Sequence, residues 1–136
     1  MSKARYLLDT SVCIDVARFR SPKLQARFAK LQPGEALLSV ITFGELQFGA
    51  AKSQQGAAAR AALQELASLI PVLPLPVDAG AEYGRIRAHL EARGEPIGGN
   101  DLWIAAHARV AGLILITNNV RELGRVPGLK LLNWSQ

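Results

Sequence analysis

Apolar residues along this chain alternate between short unbroken runs and longer stretches spaced by three and four. Arg5-Tyr6-Leu7-Leu8, Glu35-Ala36-Leu37-Leu38, Pro71-Val72-Leu73-Pro74, Leu113-Ile114-Leu115-Ile116 and residues 129–132 have the length and continuity of buried strands. Helical spacing fills the intervals. Ser11 is expected to cap a helix over 12–19, Ser21-Pro22 to start one with Leu24, Phe28 and Leu31 inward, and Ser39 to cap one over 40–52. An alanine-rich helix over 56–68 turns Leu63, Leu66 and Ile70 inward. Asp78 heads a helix to about Arg93, with Tyr83, Ile86 and Leu90 inward, and Asn100 caps one that Gly112 ends. Thr117-Asn118-Asn119 closes the fourth run before a short turn, and Trp134 is expected to pack near the last strand. Strands alternating with helices predict an α/β fold of three layers, α/β/α, around a mostly parallel sheet of roughly five strands. Prolines flanking Val72-Leu73 place that strand at an edge.

Composition narrows the picture. The 136 residues suit a single domain over 1–136 with a proper core, and 49% hydrophobic content argues against disorder. No apolar run is long enough to span a bilayer, and no leader with a cleavage site is expected. The lone Cys13 excludes an internal disulfide and suits a reducing cytoplasm. A formal charge of +5 favours a polyanionic partner, nucleic acid ahead of a membrane surface. Arg85, Arg87 and Arg93 could form a basic rim or simply a solvated helix face, and Arg121 is a further candidate for RNA contact.

The chemistry sits in the acids. Asp9 follows the first strand, where open α/β sheets place their ligands, although read alone it is a turn residue capping a helix. Glu45 has Ile41 and Phe48 at helical spacing, so it is expected on the buried side, paired either with an arginine or with a cation. Asp101 lies in the first turn of its helix at the head of the apolar face formed by Ile104, Ala105 and Ala108. Asp15 reads as a solvated residue or a rim contact, and His89 and His107 lack the spacing of zinc ligands. Doubly wound topology would bring Asp9, Glu45, Asp101 and Asn119 to one rim. Left bare, three carboxylates there would raise one another's pKa values, whereas Mg²⁺ or Mn²⁺ would neutralise them, activate water and screen a phosphodiester.

The segments Leu7-Leu8-Asp9-Thr10-Ser11-Val12, Ser39-Val40-Ile41-Thr42-Phe43-Gly44-Glu45-Leu46 with Gly49, Pro96 through Ala108, and Thr117-Asn118-Asn119 with Val126-Pro127-Gly128-Leu129 occur in this order. In that combination the chain resembles PIN-domain ribonucleases, specifically VapC-type toxins of prokaryotic toxin–antitoxin pairs, over nearly its whole length. The resemblance implies a Mg²⁺-dependent cytoplasmic endoribonuclease acting on RNA. It also implies a homodimer and a VapB-type antitoxin that inserts a C-terminal segment into the groove. Asp9, Glu45 and Asp101 match the family's acidic positions, with Asp9 and Asp101 holding the ion and Glu45 orienting or deprotonating water. Asn119 matches a fourth position that is often aspartate, and departs from it by offering only an amide oxygen; Glu122 is a nearby source of charge. Thr10, Ser11 and Thr117 match the small polar residues that support the ligands. Two other classes compete. A receiver-like signalling module with Asp9 as phospho-acceptor would want a lysine after a late strand, which Ile116-Thr117-Asn118-Asn119 lacks. A binding-only relative that has lost catalysis sits poorly with the three retained acids.

Overall fold

The computed structural model describes residues 3–136. The chain runs β1 (Tyr6–Leu8), α1 (Thr10–Ala17), α2 (Pro22–Ala29), β2 (Ala36–Ser39), α3 (Val40–Lys52), α4 (Gly56–Leu69), β3 (Val72–Leu73), α5 (Ala79–Ala92), α6 (Gly99–Ala111), β4 (Ile114–Ile116), α7 (Val120–Leu123) and β5 (Leu131–Leu132). The strands form one parallel sheet in the order β3-β2-β1-β4-β5. The expected five-stranded α/β architecture is therefore present, with the proline-flanked strand at one edge.

Strand pleating sends neighbouring residues to opposite faces, and that alternation divides the core in two. Leu7 pairs with Leu37 and Leu115, and these three pack with α5 and α6 residues such as Ile86, Leu90, Ile104 and Ala105. One residue on, Leu8, Leu38 and Ile116 form the next row and pack against Val12, Cys13, Val16, Leu24 and Leu66 from α1, α2 and α4. Tyr6 lies on this second face, edge-on to the Trp134 ring at 4.8 Å.

Chain direction matters more for function than the core does. From the central β1 the chain moves outward through β2 and β3, then returns to lay β4 on the opposite side of β1. The carboxyl ends of β1 and β4 thus flank the point where the winding reverses, which is the place such sheets leave a crevice. Asp9 follows β1, and Thr117-Asn118-Asn119 follows β4.

Several boundaries differ from the sequence reading, each for a local reason. Asp9, not Ser11, caps α1, because its carboxylate accepts from the Val12 amide at 3.0 Å one turn in. Helix α6 starts at Gly99 behind Gly98, with no side-chain cap, so Asn100 lies inside the first turn. Phe48 is 65% exposed, so the inward face of α3 runs through Thr42 and Ala50 and leaves Glu45 half-buried. The last strand starts only at Leu131, because the Leu129 amide closes a turn onto Val126. Ser21 and Ser39 cap α2 and α3 as expected, and Gly112 ends α6 at φ 68°, a left-handed conformation that favours glycine.

Leu7 is fully buried on the central strand. Leu7→Ala should lower unfolding stability by about 2–5 kcal/mol, read as a fall in the urea midpoint at unchanged slope.

Candidate active site

Each acid at the rim is carried there by a strand end or a helix. β1 ends at Leu8, and the β/extended conformation of Asp9 (φ −83°, ψ 174°) turns the chain into α1. Its Oδ1 then accepts from the Val12 amide at 3.0 Å and from the Ser11 hydroxyl at 3.0 Å. The carboxylate is 5% exposed, and burial pushes its pKa up from the ordinary aspartate value. Hydrogen bonds from Thr117, Val12 and Ser11 oppose that rise, while the charge of Glu45 adds to it.

Glu45 reaches the same locale from α3. Its Oε1 accepts from the Thr10 hydroxyl at 2.5 Å, so the first residue of α1 clamps a side chain 35 positions away. Asp101 stands in the first turn of α6 with no acidic neighbour in that turn. Its pKa is raised chiefly by burial, then by the charges of Asp9, Glu45 and Glu122. Asp9 thus feels the charge of Glu45, and Asp101 those of Asp9, Glu45 and Glu122, with no lysine or arginine among the charges acting on either. Among the described residues no three Asp, Glu, His or Cys side chains close tightly enough to grip one ion between them.

Asn119 is placed at this rim but is committed locally. It caps α7, with Oδ1 accepting from the Glu122 amide at 3.5 Å and Nδ2 donating to Glu122 Oε2 at 3.1 Å. Thr117 is fully buried, and its hydroxyl accepts from the Asn119 amide at 2.9 Å. Thr117 thus joins the end of β4 to both Asn119 and Asp9.

Of the two readings of Arg85, Arg87 and Arg93, basic rim or solvated helix face, the pairing of each favours the second. Arg85 pairs with Glu82 at 3.2 Å, Arg87 with Glu91 at 2.7 Å, and Arg93 with Glu95 at 3.0 Å. All three are exposed, and the acid beside each offsets its charge. Arg121 is exposed on α7 with no ion pair among the described residues.

Two polar links escaped the sequence. Asp15, expected to be solvated or at the rim, accepts from Asn118 Nδ2 at 2.8 Å and pairs with Arg20 at 3.4 Å, and Ser135 donates to Asn118 Oδ1 at 3.1 Å. Asp15 and Asn118 are 103 positions apart, and nothing local announces the contact. The second link joins His107 on α6 to Ser39 at the head of α3, Nδ1 to Oγ, at 2.9 Å with both residues buried. Burial pushes the His107 pKa down, so the ring is neutral and structural at ordinary pH.

A parallel sheet wound in this order, with acids gathered at its reversal point, is the build of a PIN domain. The PIN-domain family model matches residues 6–129, and the chain belongs to that family. Its relatives are VapC proteins. The tRNA(fMet)-specific endonuclease VapC of Shigella flexneri is 40% identical over 131 residues, covering 96% of this chain and 98% of the relative. Ribonuclease VapC2 of Haemophilus influenzae is 39% identical over 130 residues, with the same shares. Among solved structures, DNA-bound VapBC from Salmonella typhimurium superposes with TM-score 0.91 at 35% identity, covering 97% of this chain and 99% of that one. VapBC2 from Rickettsia felis, bound to a DNA fragment from its promoter, gives 0.87 at 32% identity over 95% and 98%.

The raised pKa of Asp101 makes a prediction about stability. Folding favours its protonated form, so stability falls as pH rises from the ordinary value of 3.8 through the raised one. At neutral pH, in chelator, Asp101→Asn should raise Tm by about 2–5 °C, and the gain should shrink as pH is lowered toward about 4. Thermal unfolding followed by circular dichroism at both pH values checks this; an equal gain at both would remove the charge effect.

Proposed function

We propose that this chain is a Mg²⁺-dependent endoribonuclease, the toxin of a VapBC-type pair, restrained by a VapB-type antitoxin and working as a cytoplasmic homodimer. The observation that carries the reading is the group of carboxylates at the rim with no basic side chain among the charges that bear on Asp9 and Asp101. The relatives' names, ribonuclease and endonuclease VapC, support the activity, and the VapBC complexes support the partner.

The donor set fits a hard divalent ion. Asp9, Glu45 and Asp101 offer carboxylate oxygens, and no histidine or cysteine takes part: His107 is turned to Ser39, and Cys13 is a buried thiol whose pKa burial pushes far up. Oxygen donors of this kind suit Mg²⁺ or Mn²⁺, which keep several waters and bind through one or two carboxylates. Asp9 and Asp101 would hold it, and when bound it would supply a Lewis acid against the phosphodiester oxygens.

The rest of the chemistry belongs to the chain. Thr10 fixes one oxygen of Glu45 and leaves Oε2 to orient an attacking water and take its proton. Water adds to phosphorus in line as the opposite P–O bond breaks. Ser11, Thr117 and the Val12 amide keep Asp9 in one orientation, and Glu122 adds negative charge through the Asn119 cap.

Asp9→Asn and Asp101→Asn should each lower RNA cleavage by about 100-fold or more, and Glu45→Gln by roughly 100-fold, all with folds intact by circular dichroism. Chelation should silence the wild type, and Mg²⁺ or Mn²⁺ should restore it. Mapping RNA ends after incubation with total RNA, with tRNA(fMet) as the first purified substrate, gives the readout. Undiminished cleavage by both aspartate variants would eliminate this mechanism.

A further inference from the structure

Resting on the ribonuclease reading, we propose that the turn between α1 and α2 is a platform for single-stranded RNA, with Phe19 stacking on a base and the flanking cations taking phosphates. Phe19 is 76% exposed. It also stands just past the α1 C-cap at φ 51°, and it is the one non-glycine residue with positive φ among the described residues. That position favours glycine or asparagine. Neither backbone preference nor burial therefore accounts for an aromatic ring here, and such outliers gather at working surfaces.

The charge around it is as uneven. Residues 10–30 hold five cations, Arg18, Arg20, Lys23, Arg27 and Lys30, against the single acid Asp15, so this segment carries most of the chain's excess of +5. All five are exposed, and only Arg20 has an ion pair among the described residues. The α5 arginines, by contrast, are each matched with an acid. Lys23 lies in the first turn of α2, where a cation is disfavoured by the helix itself and an anion is welcome.

Cations of the turn also line two cavities, one of which reaches Glu45. Arg18 lines a cavity of about 270 Å³ together with Glu45. Arg20 and Lys23 line an open cleft of about 690 Å³ together with Asn118, the residue between Thr117 and Asn119. A strand whose scissile phosphate sits at Asp9 and Asp101 thus meets positive charge and a stacking face within one short helix of the reaction. An isolated ring between arginines matches the pairing of aromatic faces with a cationic track that single-strand binders use.

The test measures binding without cutting. Asp101→Asn protein is titrated onto a fluorescein-labelled single-stranded RNA of about 12 nucleotides, and anisotropy is followed across a salt series. Adding Phe19→Ala should weaken binding about tenfold, Phe19→Leu should do the same, and Phe19→Tyr should bind as the parent. Lys23→Gln with Arg27→Gln should lower the slope of log affinity against log salt by about 0.7 per lost contact. RNA that binds equally well to all of these variants overturns the platform. Weakening confined to antitoxin capture, with RNA binding unchanged, also overturns it and assigns the turn to the protein partner. If neither wild-type nor Asp101→Asn protein binds or cuts any RNA, the ribonuclease reading fails instead.

Discussion

Like charges converging where two neighbouring strands end is the constraint on which this molecule turns. Asp9 stands at the head of α1, Glu45 on α3, Asp101 on α6 and Glu122 on α7, and the repulsion felt by Asp9 and Asp101 opposes the packing that brings them together. The fold holds them regardless because the strands beneath are among its best-buried parts: Leu7, Leu8, Leu38, Leu115 and Ile116 have no exposed surface. Hydrophobic burial of that order outweighs repulsion between partly hydrated carboxylates. The imbalance left at the surface is what makes the rim chemically useful.

Polar links below the rim fix how the acid-bearing helices meet. Ser39 ends β2, caps α3 and receives the buried His107 ring from α6. Glu45 lies along the same α3 and Asp101 along the same α6, so one neutral hydrogen bond joins the two supports. Thr10 closes the other side, from α1 to Glu45. Tyr83 of α5 stacks on Trp103 of α6 at 4.0 Å, bracing α6 close to Asp101. The result is a ring of contacts in which each acid is supported by an element that carries another.

Much of this was legible in the sequence, for definable reasons. Buried parallel strands need unbroken apolar runs, so Leu113-Ile114-Leu115-Ile116 could hardly be read otherwise, and serine before a helix announced α2 and α3 within a residue. Where two capping residues competed, the choice failed: Asp9 and Ser11 both suit a cap, and only the turn geometry settles it in favour of Asp9. Phe48 was misplaced because helical spacing fixes a stripe and not which edge of it faces inward. The α5 arginines could not be told from a free basic patch because the ion pairs neutralising them depend on side-chain conformation, while the Asp15–Asn118 contact spans 103 positions and leaves no local trace.

The capping of Asp9 bears on how that carboxylate is oriented. Oδ1 is already shared between the Ser11 hydroxyl and the Val12 amide, and Oε1 of Glu45 is taken by Thr10. Thr117 adds a further hydrogen bond to Asp9 from the end of β4. A carboxylate tied through Oδ1 has little freedom to turn, so the hydrogen bonds that start α1 also set the direction in which Asp9 faces the rim.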